Sequence, residues 1–168
     1  YVRGYDVRGE VQTDFGRVGI LTCYDGYFPE TYRILALKGA EILVWINSRN
    51  GSIEDYLVKS ATSQNYVHMV CVNAAHGAGT LIARWPHEIV AVAEEAGEQY
   101  VCGELFMKQL RVVRRDGGRE FRQRRPDLYG ELLKSYPVWE QYAEQPPRGK
   151  PRRIHMREGR IVQGGGAL

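Results

Sequence analysis

Two short apolar runs, Arg17-Val-Gly-Ile-Leu-Thr22 and Glu41-Ile-Leu-Val-Trp-Ile46, stand on either side of one helical stretch, and this spacing constrains the fold more than any other feature. Each run is shorter than an ordinary helix and reads as a buried strand. Between them, Tyr24 to Phe28 carries an Asp-Gly turn signal. Pro29 suits a first helical position, where a backbone N–H has no partner to lose. Glu30 suits the positive end of the helix dipole. The pattern predicts a helix over 29–38 with Tyr32, Leu35 and Ala36 on one face, stopped at Gly39. Two strands joined by a single helix pair in parallel through a right-handed crossover, which places the chain in the α/β class.

The remaining sequence extends this unit. Ser52, three residues before Asp55, reads as a capping signal for a helix over about 53–65. Residues 66–73 are strand-like, and strands at 80–84 and 88–93 flank Trp85-Pro86-His87 as a hairpin turn. A further strand is expected at 99–105 and a basic helix at 107–115. Parallel pairing followed by a hairpin predicts a layered α/β domain with a mixed sheet. Beyond Pro126 the pattern weakens, and Pro137, Pro146, Pro147 and Pro151 interrupt it. The expected organisation is a domain over 1–130 and an extended, basic, Pro-rich tail over 131–168 that forms an interface.

With 168 residues and 43% hydrophobic content, the chain can bury a core of its own. No apolar run approaches the roughly 20 residues of a membrane-spanning helix, so no membrane partner is expected. Residues 1–104 hold eight Lys and Arg against thirteen Asp and Glu, and residues 105–168 hold fifteen against seven. Acids and prolines interrupt the basic half, and its aromatic residues follow no base-stacking pattern. It therefore reads as a solvated helix and tail rather than a nucleic-acid surface. Three cysteines with no CxxC, and four histidines without ligand spacing, argue against a disulfide framework and against a metal site. Free thiols point to a reducing compartment and a cytoplasmic location.

Cys23 ends the first strand, and a helix is expected to start five or six residues later. Side chains at strand ends project where ligands bind in α/β folds. A neighbouring helix N-terminus favours a thiolate, and the backbone N–H groups after the thiol can bind a developing oxyanion. A buried cysteine acting as a small hydrophobe is the competing reading, and Cys71 and Cys102 are read that way. Asp25 is expected to satisfy backbone N–H groups of the turn. Glu30 is expected to pair with Arg33. His76, in a Gly-rich stretch, raises the possibility of a Cys–His hydrolase pair with Cys23.

The stretch Gly16-Arg17-Val18-Gly19-Ile20-Leu21-Thr22-Cys23-Tyr24-Asp25, then Phe28-Pro29-Glu30, Arg33 and Lys38-Gly39-Ala40-Glu41, resembles the nucleophile segment of the nitrilase superfamily of carbon–nitrogen hydrolases. Supporting stretches are Ala61 to Asn65 with Val72-Asn73-Ala74, Thr80-Leu-Ile-Ala83, and Arg125-Pro126-Asp127-Leu128-Tyr129. Pro86-His87 stands where the family has Pro-x-Gly. The resemblance spans roughly residues 5–130. It implies a four-layer α-β-β-α sandwich, of which this chain is the C-terminal part. It also implies a catalytic Cys, Lys and Glu acting on an amide, nitrile or carbamoyl carbon through a thioester, with no cofactor.

Carried over residue by residue, the resemblance makes Cys23 the nucleophile and Tyr24 the residue whose backbone N–H joins the oxyanion site. The lysine and glutamates are implied to lie upstream of Tyr1. The loop after the second strand rims the substrate pocket in the family, so Asn47 and Arg49 are expected to contact substrate. Trp45 is expected as core or pocket wall, and His76 as a further contact. The helices at 29–38 and 53–65 are expected to meet across a homodimer interface, with the tail supporting larger assembly. A non-catalytic scaffold and a Cys–His hydrolase are the rival readings.

Overall fold

The computed structural model describes residues 10–134, together with the backbone of two strands, Ile154–Arg157 and Arg160–Gln163. The chain divides into two compact units, residues 1–124 and 125–168.

The first unit is built on a six-stranded mixed sheet. Its strands are β1 (Glu10–Gln12), β2 (Arg17–Thr22), β3 (Ile42–Ile46), β4 (His68–Val72), β5 (Leu81–Arg84) and β6 (Glu88–Val92), in that spatial order. The pairs β2–β3 and β3–β4 are parallel and the other three antiparallel. Helix α1 (Pro29–Leu37) makes the first parallel connection and α2 (Asp55–Asn65) the second. Both predicted strand–helix–strand steps are therefore present, and Trp85-Pro86-His87 forms the β5–β6 turn.

The core lies between one face of this sheet and the two helices. Leu21, Leu43, Trp45, Met69, Cys71, Leu81 and Ala83 meet Tyr32, Leu35 and Ala36 of α1 and Val58 and Ala61 of α2. Each of the larger apolar side chains contributes about 1.5–3 kcal/mol by leaving water. On the other face, Ile20, Ile46 and Val72 stay more than two-fifths exposed. Alternation along β3 explains the contrast: Leu43 and Trp45 point to the helices, Val44 and Ile46 away.

Helix α1 stops where the sequence predicts. Gly39 has φ +99°, its N–H donates to Ala36 O, and the N–H of Ala40 reaches back to Leu35 O. This pair of bonds closes the helix end and turns the chain directly into β3. Helix α2 begins later than predicted: its N-cap is Glu54, and Ser52 makes no cap. Ile53 is buried in the core instead, which pulls the chain inward ahead of the first turn.

Residues 99–105 form no strand. The segment runs past β6, with the α-carbon of Gly103 so close to Val90 that a Cβ would lie 2.8 Å from Cγ1. Its Glu104 carbonyl accepts from Arg84 Nη1 at 3.2 Å rather than from a ladder neighbour. Cys102, expected in the core, is consequently exposed. Helix α3 (Met107–Asp116) matches the predicted basic helix and is followed by the short α4 (Arg119–Arg122). α3 is tied to the start of β3 by Arg111, which pairs with Glu41, and by Arg114, which donates to Ala40 O at 2.6 Å.

The second unit opens with 3₁₀ turns at Pro126–Leu128 and Gly130–Leu133 and contains the hairpin β7 (Ile154–Arg157) and β8 (Arg160–Gln163). The hairpin departs from the extended tail predicted over 131–168; the rest of that tail beyond residue 134 lies outside the described residues.

Candidate active site

Cys23 stands at the first residue of a 3₁₀ turn, Cys23–Tyr27, that follows β2 without a break. The helical turn thus starts at the thiol itself, ahead of the predicted helix. Cys23 has φ +48°, a left-handed conformation that non-glycine residues rarely adopt. Such a backbone costs on the order of 1–3 kcal/mol and persists only where its surroundings enforce it. Here they do. The Thr22 N–H donates to Asp25 Oδ2 at 3.0 Å, the role expected of Asp25. Thr31 Oγ1 donates to Asp25 O at 2.8 Å. Tyr32 Oη donates to Gly26 O at 2.5 Å. Trp45 Nε1 donates to the carbonyl of Cys23 at 2.9 Å.

Gly26 explains how the turn can lie so close to β3. A Cβ there would fall 2.1 Å from Trp45 Cε2, so only glycine lets the indole pack flat against the turn. Trp45 is fully buried, with Tyr27 and Tyr32 edge-on to it. Of the two roles weighed for this residue, its burial fits the core: it lies against the Cys23–Tyr27 turn with no exposed surface. Tyr24 is exposed, its ring edge-on to Phe28 at 5.3 Å.

The loop after β3 carries Arg49 over the Trp45 ring. Asn47 is buried: Nδ2 donates to Trp45 O at 3.1 Å, and Oδ1 accepts from Arg49 Nε at 3.2 Å. The Arg49 guanidinium lies over the Trp45 ring at 4.6 Å and the Tyr27 ring at 5.0 Å. It also forms an ion pair with Glu54, whose other oxygen accepts from Tyr27 Oη at 2.7 Å. His76 is exposed, with Nε2 3.5 Å from Ser48 Oγ.

Three participants escape the sequence reading. Glu54 carries no local motif, because its partners come from two other segments. Tyr27 reads only as part of a turn. Asn73 is a buried hub whose Oδ1 accepts from the Arg49 N–H and whose Nδ2 donates to Gly51 O and Ala78 O, each at 2.9 Å. Asn73 follows a strand and precedes a Gly-rich loop, the one pattern that could have singled it out.

The other thiols differ. Cys71 is fully buried in β4, and desolvation pushes its ionisation well above the ordinary thiol range. Arg33, expected to pair with Glu30, donates to Gln64 O at 2.8 Å and lies over the Phe121 ring. Two open depressions, of about 190 and 290 Å³, lie along the β4–β6 side of the sheet. Cys23 lines neither; it is presented on an exposed turn.

Residues 2–115 match the family described as carbon-nitrogen hydrolase. The chain belongs to that family. Similar members of this carbon–nitrogen hydrolase family include an N-carbamoylputrescine amidase of Arabidopsis thaliana, 29% identical, with 73% of this chain and 49% of the relative covered. A deaminated glutathione amidase of Rattus norvegicus is 30% identical over 77% of this chain and 43% of its own length. A carbon–nitrogen hydrolase from Helicobacter pylori G27 superposes with a TM-score of 0.70 at 23% identity, covering 81% of this chain and 55% of that one. The chain thus spans about half the length of the curated relatives it matches, and its six-stranded sheet with α1 and α2 corresponds to part of the nitrilase-like fold.

Proposed function

We propose that the protein carrying this chain hydrolyses a non-peptide carbon–nitrogen bond, a carboxamide or a carbamoyl amide before a nitrile, with Cys23 as nucleophile. The observation that carries this reading is the exposed Cys23 held at φ +48° at the end of a parallel strand. The amide and carbamoyl relatives support the substrate class.

In the proposed reaction the Cys23 thiolate attacks the carbonyl carbon, and the carbonyl electron pair moves to oxygen. The Tyr24 N–H, at the start of the turn, is the proposed backbone donor to that oxyanion. Collapse of the tetrahedral species breaks the C–N bond, and the nitrogen leaves with a proton as ammonia or amine. Water then attacks the thioester, releasing the acid and restoring the thiol. The chain spans about half the length of the curated relatives it matches, so the test uses the full-length gene product.

His76, exposed at the loop beside Ser48, is the proposed contact to substrate among these residues. Trp45, Asn47 and Arg49 pack beneath the Cys23 turn as its support. A homodimer through the outward faces of α1 and α2, which expose Ile34, Leu37 and Tyr56, belongs to the same proposal, with the tail at 131–168 supporting larger assembly. So does a cytoplasmic location, which suits free thiols.

The experiment is hydrolysis of a panel of primary amides, ureido acids and nitriles by the full-length protein and by Cys23→Ala. Release of ammonia or amine from an amide or ureido compound, lost by on the order of 10⁴-fold in the variant, is the expected outcome. Undiminished turnover by Cys23→Ala contradicts the mechanism. A folded full-length protein that turns over nothing favours the scaffold reading.

A further inference from the structure

We propose that Arg49 and Glu54 form a clamp that positions the Cys23 turn through Trp45 and Tyr27, and that neither residue binds substrate. The proposal rests on Cys23 being the nucleophile and deepens that reading: it names what holds the thiol in place.

The argument starts from the cost of the Cys23 backbone. A left-handed cysteine relaxes unless the residues around it resist. The carbonyl of Cys23 is held by Trp45 Nε1 at 2.9 Å, and the turn's Gly26 rests on the same indole. The position of the indole therefore sets the position of the turn.

Trp45 in turn is fixed by charge. The Arg49 guanidinium lies over its ring at 4.6 Å, within the range of a cation–π attraction that strengthens where water is excluded. The same cation faces the Tyr27 ring at 5.0 Å, and Tyr27 is the last residue of the turn that Cys23 begins. Glu54 closes the arrangement by pairing with Arg49 and accepting from Tyr27 Oη at 2.7 Å. The clamp therefore acts on the Cys23 carbonyl through the indole and on the end of the turn through Tyr27.

The geometry also argues against a substrate-binding arginine. The Arg49 side chain is only 13% exposed, and its Nε, Nη1 and flat face are engaged by Asn47, Glu54 and Trp45. Its backbone N–H is held by Asn73 at 2.9 Å. A carboxylate already pairs with this cation, and Nη2, the guanidinium nitrogen with no hydrogen-bond partner among the described residues, is buried away from solvent.

The test uses the full-length protein with Arg49→Met, Arg49→Lys, Glu54→Gln and the Arg49→Met/Glu54→Gln double variant. Lys59→Gln, in the exposed pair with Asp55, is the control and should change neither readout. Two quantities are read: kcat and KM on the best amide of the panel, and the rate at which iodoacetamide alkylates Cys23, followed by peptide mass spectrometry without substrate. Alkylation is measurable even if no panel compound is hydrolysed, so failure of the functional reading and failure of the clamp are distinguishable.

The expected result is a kcat lowered roughly ten- to hundred-fold in Arg49→Met and Glu54→Gln with little change in KM. Cys23 alkylation should slow by about threefold or more in both, because small misplacements of a reacting group are costly. The double variant should be no worse than the poorer single variant, since the two residues act as one unit. Arg49→Lys, which keeps the charge beside Glu54, should recover part of the loss. A raised KM with unchanged kcat in Arg49→Met, together with a silent Glu54→Gln, would overturn the proposal and make Arg49 a substrate ligand. Wild-type alkylation rates in every variant would overturn it as well. Should Arg49→Met fail to fold, the near-isosteric Glu54→Gln decides on its own.

Discussion

Cys23 follows β2 and Cys71 lies in β4, the strands on either side of β3, whose Trp45 is close to both. Trp45 is the register partner of both Leu21 and Cys71. Cys71 stays within its strand, faces the helices and is fully buried, so desolvation suppresses its thiolate. Cys23 falls just past the end of β2, where the chain has left the sheet for a 3₁₀ turn. It is exposed, in a left-handed conformation, with its carbonyl fixed by the same indole that lies against Cys71. A displacement of two residues relative to the strand end separates an exposed position from a packing one. The difference lies in the backbone and its supports rather than in the side chain.

The change expected to erase this difference most fully is Gly26→Ala. Its methyl group would overlap the Trp45 ring, so either the turn or the indole must move. Turnover should fall by about a hundred-fold, and stability by about 1–3 kcal/mol from overpacking, read by steady-state kinetics and denaturant titration. Wild-type turnover in a folded Gly26→Ala protein would show that the close approach is unimportant. Cys71→Ala probes the other side: it should cost about 1–2 kcal/mol through the small void it leaves, with kcat and KM preserved. A loss of turnover there without a loss of stability would break the distinction between the two thiols.

The smallest expected effect lies at the opposite end of the sheet. Glu41 precedes β3 and pairs with Arg111, and this hydrogen-bonded pair holds its carboxyl below the usual range. A lowered folded-state pKa means that its contribution is present above a pH of about 4.5 and is lost as pH falls through the folded value. Glu41→Gln should therefore lower stability at neutral pH by under about 1 kcal/mol, and the gap to wild type should close in acid. Cys23 alkylation should be unchanged, because this anchor lies at the far end of the strand from the thiol.

Much of the frame was legible in the sequence. The runs at 17–22 and 41–46 and the helix between them follow from periodicity, Pro29 and Gly39, all local signals. The strand expected at 99–105 failed because pairing is a tertiary event: the segment passes β6 through Gly103 and offers a carbonyl to Arg84 without joining the ladder. The cap expected at Ser52 failed because burial of Ile53 delays the helix to Asp55. The place of Cys23 at a strand end was legible in the sequence, but the turn that begins on it was not. That turn depends on Trp45, 22 residues away. Glu54 was invisible for the same reason, since its partner Tyr27 is 27 residues away and no local pattern links them.

The most direct measurement is acid-quenched single turnover of the full-length protein with a hydrolysed amide, followed by peptide mass spectrometry of all three thiols. The account predicts a transient acyl mass on the peptide containing Cys23 and none on those containing Cys71 or Cys102. It further predicts that the adduct decays at the rate at which acid is released. An acyl group on Cys71 or Cys102, or turnover with no acyl group on Cys23 at any quench time, would contradict it.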